Sequence, residues 1–162
     1  MRVVEGIATV ADVDAFVARL GEIGEEHGAA VQAFDARYVV GREHLERAVA
    51  LANRAIRRDD AIARERTVEI LLYAAGRRQI NRALEIGISE GECPTVVVVD
   101  GGEEAGAAEA VRELLESAQT LGGYDRDRVM DFFEVDEREL AATSGTMTDL
   151  VCERVALLTV EK

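Results

Sequence analysis

Thr95-Val96-Val97-Val98-Val99-Asp100 decides the fold. Successive residues of a strand point to opposite sides, so four consecutive valines make an extended segment that is apolar on both faces. Such a strand belongs in the interior of a sheet that is covered above and below. The chain's only proline, Pro94, is expected in a turn, Gly91-Glu92-Cys93-Pro94, just ahead of it. Gly101-Gly102 then turns the chain into a helix carrying Ala107, Val111, Leu114, Leu115 and Ala118. Glu103 and Glu104 stand where the helix dipole favours negative charge. These glycines match neither the P-loop nor the dinucleotide-binding pattern, so Asp100-Gly101-Gly102 reads as a turn and not as a phosphate cradle.

Upstream, Arg2 to Ala8 reads as a first strand, after which Thr9 and Asp12 open a helix with Val13, Phe16, Val17 and Leu20 on one face. Val31 to Phe34 is a short strand, and Tyr38 to Gly41 ends it or leads into the next turn. Arg42 to Ile56 is an amphipathic helix with Leu45, Ala48, Val49, Ala52 and Ile56 on one face, and Glu43 and Arg47 spaced to pair outside. Arg57-Arg58-Asp59-Asp60 is a polar break. Arg66 to Ala75 is apolar around most of its circumference, which predicts the central, most buried helix. Gly76 interrupts, and Arg77 to Ile86 predicts another helix with Ile80, Ala83 and Leu84 facing the core. Downstream, Asp125 to Leu140 is a charged helix-and-loop excursion, and Gly145-Thr146 starts a short helix to about Glu153. Val155 to Val160 closes the chain as a second strand apolar on both faces. The pattern predicts an α/β (α+β) fold, a single compact domain over residues 1–162 with a small sheet packed by several helices.

Composition narrows the function. With 48% hydrophobic and 31% charged residues the chain folds rather than staying disordered. No run approaches the ~18 apolar residues that span a bilayer, and Met1-Arg2-Val3-Val4-Glu5-Gly6 lacks the apolar core of a signal peptide. A cytoplasmic protein without membrane contact is expected. Cys93, Cys152, His27 and His44 are too scattered for a metal site, and no base neighbours Cys93 to make it a nucleophile. No catalytic residue, metal or cofactor is therefore expected. Of 19 basic residues only Lys162 is not arginine, against 32 acids. That balance suits a salt-adapted, archaeal protein whose net charge of −13 answers its solvent and not a basic partner.

One segment departs from this acidity: Arg66-Thr-Val-Glu-Ile-Leu-Leu-Tyr-Ala-Ala-Gly-Arg-Arg-Gln-Ile-Asn-Arg82. Between Arg37 and Arg82 eleven arginines face six acids, a local charge of +5. Positive charge gathered on one stretch of an acidic chain marks a place where an anion docks. Arg42, Arg47, Arg54, Arg57 and Arg58 read as a solvated helix face paired with Glu43, Glu46, Asp59 and Asp60. Arg66, Arg77, Arg78 and Arg82 read equally as site residues or as surface charge.

The order Gln32-Ala33-Phe34-Asp35, Gly41-Arg42-Glu43-His44-Leu45, then Glu69-Ile-Leu-Leu-Tyr-Ala-Ala-Gly-Arg-Arg-Gln-Ile80 and a valine-rich strand resembles the Cgi family, also known as the PRPK-binding protein family. The likeness runs from about Gln32 to Gly101, and the length and the expected closing strand fit it. The resemblance implies a non-catalytic subunit of the KEOPS complex, which makes threonylcarbamoyl-adenosine beside the anticodon of ANN-decoding tRNAs. It implies two partners, the small atypical kinase/ATPase subunit and the single-stranded 3′ CCA end of tRNA, and none in DNA. It also implies a monomer at one end of a linear assembly, with the chemistry performed by another subunit.

The residues suit that role. A single-stranded RNA end is held by a basic groove and by surfaces on which bases stack. Arginine clamps phosphate with a planar fork and also stacks on a base. Arg77, Arg78 and Arg82 at a helix start would add the N–H groups around Gly76-Arg77-Arg78. Gln79 would read a base edge, and Tyr73 and Ile80 would supply contact area unless they are core. The expected tRNA-binding set is thus Arg66, Tyr73, Arg77, Arg78, Gln79, Ile80 and Arg82. High salt weakens counterion release, whose slope is about 0.7 in log K per phosphate contact for single strands. Stacking and apolar pockets must then carry more of the affinity. Two other functions compete: a kinase-binding adaptor that never touches RNA, and a small nucleotide-using enzyme, for which no paired carboxylates or catalytic triad stand in a recognisable setting.

Overall fold

In the computed structural model, which describes residues 1–161, the valine strand β3 (Gly91–Asp100) runs between β1 (Arg2–Val10) and β2 (Ala30–Asp35). The two-residue β4 (Glu116–Ser117) adds to the far side of β1, giving the order β2-β3-β1-β4 with every pairing antiparallel. Val96 to Val99 are fully buried, and their alternation divides the interior in two. Val96 and Val98 join a large core built on α2 (Arg42–Arg57), α3 (Arg66–Ala75), α6 (Arg126–Phe133) and α8 (Met147–Glu161). Val97 and Val99 join a smaller one with α1 (Val13–His27) and α5 (Glu104–Arg112). The molecule is a single domain, a four-stranded sheet with helices on both faces. Asp12 caps α1 by accepting from the Ala15 N–H at 3.2 Å, as its place in the sequence predicts.

Several expected elements differ. The expected turn Gly91-Glu92-Cys93-Pro94 is the first part of β3, paired with Ile7 to Val10 of β1. The closing strand Val155–Val160 is helical, and the short helix expected to end near Glu153 runs on as α8. Met147, Leu150, Val151, Val155 and Leu158 are buried at spacings of three and four residues, a helical stripe packed against α2 and α3. A six-residue apolar run does not distinguish strand from helix; the longer pattern beginning at Met147 does. The closing strand thus drops out of the resemblance. The helix expected over Arg77–Ile86 shrinks to α4 (Ile80–Ala83) and a 3-10 turn, Leu84–Ile86. Gly76 ends α3 at φ +62°, with the Gly76 N–H donating to the Tyr73 carbonyl at 3.0 Å and the Arg77 N–H to Leu72 at 3.1 Å. A Cβ at Gly76 would also sit 3.1 Å from the Arg154 carbonyl oxygen. Finally, the helix after Gly101-Gly102, expected to reach Ala118, stops at Arg112 and the chain passes into β4.

Two buried polar side chains of the larger core hold its helices. Glu69 of α3 has no exposed surface; its carboxylate accepts from the Ile62 N–H at 3.0 and 3.1 Å and from the Ala63 N–H at 2.8 Å, fixing the loop between α2 and α3. His44 of α2 donates from Nε2 to the Ala74 carbonyl at 2.8 Å and accepts at Nδ1 from the Val40 N–H at 3.4 Å. Its ring meets Phe133 edge-on at 5.5 Å. Burial pushes the imidazole pKa down to about 4, because a second proton would break the Val40 bond and bury a cation.

Glu69→Ala removes the acceptor for two loop N–H groups and is expected to lower the unfolding free energy by about 2–3 kcal/mol in a urea titration; a loss below about 0.5 kcal/mol would show that the loop does not depend on this carboxylate. For His44 the unfolded imidazole takes up a proton below its ordinary 6.5, whereas the folded one resists until about 4. Stability is therefore expected to fall as pH drops through that window. His44→Gln, whose amide reproduces both hydrogen bonds without titrating, should give a flatter profile in urea titrations between pH 7 and 4. Parallel profiles would show that another group sets the acid sensitivity.

Candidate nucleic-acid interface

β2 is an edge strand, with α1 over one face of the sheet and α3 over the other. Where the two helical layers diverge beyond that edge they leave a groove of about 530 Å³. Val13, Val17 and Leu20 of α1 form one wall, Val68 and Leu71 of α3 with Ile80 and Leu84 form the other, and Val31 to Ala33 of β2 lie at its base. Val17, Ile80 and Leu84 are 52%, 50% and 56% exposed. Ile80 and Leu84 were expected to face the core, but of the α4 stripe only Ala83 is buried. Ile80, Leu84 and Ile88 recur at intervals of four and all line the groove.

The arginines of the segment separate into two kinds. Arg66 donates from Nε to Asn53 Oδ1 at 2.9 Å and from Nη1 to the Asp100 carbonyl at 3.1 Å, and its Nη2 pairs with the Asp100 carboxylate. It ties the start of α3 to the end of β3. Arg77 donates to the Phe132 carbonyl and lies over the Phe132 ring, 4.8 Å from its centroid. With Arg154, which donates to the Phe133 and Glu134 carbonyls at 3.1 and 3.0 Å, it satisfies the open end of α6. The hydrogen bond from Arg154 to Glu139 at 2.6 Å, the larger cause, raises the Arg154 pKa above its ordinary value. Arg78 and Arg82 are exposed, Arg82 at 3.9 Å from Glu85.

The predicted set is therefore only partly brought together. Arg78, Gln79, Ile80 and Arg82 share one exposed stretch, in which Gln79 holds the N-cap position of α4 without a side-chain capping bond. Tyr73 is 1% exposed, its hydroxyl 3.4 Å from Thr159 Oγ1, so its ring is core and offers no stacking platform. The N–H groups of Gly76 and Arg77 are used in ending α3, not in opening a helix toward an anion. The groove also has polar lining that the sequence reading passed over: Asp14, Gln32, Glu65 and Thr67. One signal for the groove stands in the sequence, since a stretch as short as Ile80–Ile88 carries more large aliphatic residues than it can bury.

The kinase binding protein CGI-121 family model matches residues 11–159. No curated protein matches the chain. No helix among the described residues is long and apolar enough to cross a membrane. The lining of the groove and the segment around Gly76 fall within the matched range, which covers nearly the whole sequence, and the chain belongs to the family of kinase binding proteins named CGI-121.

Proposed function

We propose that this chain is the tRNA-recruiting subunit of the KEOPS complex, binding its small atypical kinase/ATPase subunit and holding the single-stranded 3′ CCA end of tRNA. The family description supports a kinase partner and a binding role, with the transfer chemistry done by another subunit. The observation that carries the tRNA reading is the half-exposed pair Ile80 and Leu84, lining an apolar groove on the stretch that bears Arg78, Gln79 and Arg82. Large aliphatic side chains held toward water gain free energy when a flat apolar partner covers them, and a nucleobase is such a partner. Guanidinium groups on the same stretch suit the phosphates between bases. In this reading Arg66, Arg77 and Tyr73 hold the helices that frame the groove, and the RNA meets Arg78, Gln79, Ile80 and Arg82. The protein works in the cytoplasm of a salt-adapted archaeon as one domain over residues 1–162, without cofactor or metal.

Binding of purified protein to a cognate tRNA, intact and with its 3′ CCA removed, across a KCl series tests this. Intact tRNA is expected to bind at least tenfold more tightly than the trimmed form, and Ile80→Glu to weaken the intact complex by a similar factor. Because Ile80 is half-exposed, a thermal melt should show the variant folded. Arg78→Glu with Arg82→Glu should weaken binding most at low KCl. Equal binding of both tRNAs, or an unaffected Ile80→Glu variant, would hand the role to an adaptor that holds the kinase without touching RNA.

A further inference from the structure

We propose that residues 136–146 form a strap that salt releases from the body of the domain. The strap joins the end of α6 to the start of α8 and carries the short helix α7 (Glu137–Ala142). Val135 and Met147, at its two ends, are buried, and no residue between them is. Leu140 packs in part against the larger core. What ties α7 down is charge. Arg126 donates from Nη1 and Nη2 to the two carboxylate oxygens of Glu137 at 2.7 and 3.1 Å, and Arg154 donates to Glu139 at 2.6 Å. Asp136 caps α7 by accepting the Glu139 N–H at 2.7 Å, a bond within the strap itself. The Arg126 and Glu137 side chains are 52% and 71% exposed, so their attraction is weak in water and falls further as ions screen it. A helix of six residues does not stand by itself, and α7 therefore stays formed only while it is held.

The inner tie gives the strap its reach. Arg154 also donates to the Phe133 and Glu134 carbonyls, and its own backbone carbonyl faces Gly76. Glu134, where the strap leaves α6, has a left-handed backbone at φ +55°, a conformation that few residues other than glycine adopt. Once Glu139 lets go, the Arg154 guanidinium turns to water and this hinge is free to relax. The cavity of about 110 Å³ that Phe133, Glu134 and Arg154 form with Gly76, Arg77 and Leu157 then opens. The strap thus sets access to the turn from which the Arg77–Arg82 stretch departs, whatever the groove binds.

Hydrogen–deuterium exchange of the full chain at about 0.2 M and about 3 M KCl tests this, with rates taken relative to the unfolded chain at the same salt. The amides of Leu140 to Thr143, of which Leu140 donates to Asp136 and Thr143 to Glu139, report on α7. They are expected to exchange about threefold faster at the higher salt, while those of α3 and β3 stay as slow as before. Glu137→Gln with Glu139→Gln keeps the side chains' size and removes their charge. That double variant should exchange fast at both salts, about tenfold above the wild type at the lower one. Arg126→Gln cuts only the outer tie and should fall between the two, which keeps the test open should the double variant fail to fold. Strap amides indifferent to KCl, or variants as protected as the wild type, overturn the proposal. So does a KCl response shared equally by α3 and β3, because the whole fold and not the strap would then be yielding.

Discussion

Everything in this molecule is arranged around the need to cover β3 on both faces. Its four central valines point alternately into the two cores, so neither face tolerates water. A sheet of four strands is small, and covering it takes α2, α3, α6 and α8 on one side with α1 and α5 on the other. Antiparallel sheets often leave one face wet, with an alternating pattern to match; a run of valines forbids that solution here. The two layers need not end at the same line. At β2 they do not, and the groove is the space where they part beyond the sheet edge. The groove is thus a by-product of the constraint that builds the core, since its walls are continuations of the two layers.

The arginine segment shows how one residue type serves both ends of that design. Arg66 and Arg77 bracket α3, and each reaches a distant element: Asp100 is 34 positions along the chain from Arg66, and Phe132 is 55 from Arg77. Each clamps a helix end or strand end whose carbonyls would otherwise lack a donor. Gly76 ends α3 in a left-handed turn; Arg77, directly after it, still reaches Phe132, whereas Arg78 and Arg82 further on are exposed. The glycine is where the segment turns off α3. Its Cβ-free side faces the Arg154 carbonyl, which couples the position of this turn to α8.

Much of this was legible in the sequence. The spacing of Leu45, Ala48, Val49 and Ala52 gave α2, the apolar circumference gave α3 its buried place, and the valines gave β3 an interior one. Ile80 and Leu84 were misplaced because periodicity reports which residues share a face, not whether another element covers it. Val155–Val160 was misread because its β-branched residues were judged apart from the stripe that starts at Met147. The roles of Arg66 and Arg77 were hidden for a different reason. Local sequence is silent on partners as remote as Asp100 and Phe132, and a guanidinium in a hydrogen-bonded clamp is spelled the same way as one in water.

The acidity of the chain bears on how such a groove works, on the proposed reading. A net charge of −13 opposes an approaching polyanion over distances set by the Debye length, about 8 Å at physiological ionic strength and about 3 Å at 1 M. Salt therefore removes most of the long-range repulsion, and with it most of the attraction from Arg78 and Arg82. What survives is contact: aliphatic surface from Ile80, Leu84 and Val17 against a base, and hydrogen bonds formed where water is excluded. Excess acid and RNA binding are then compatible, because they act over different ranges.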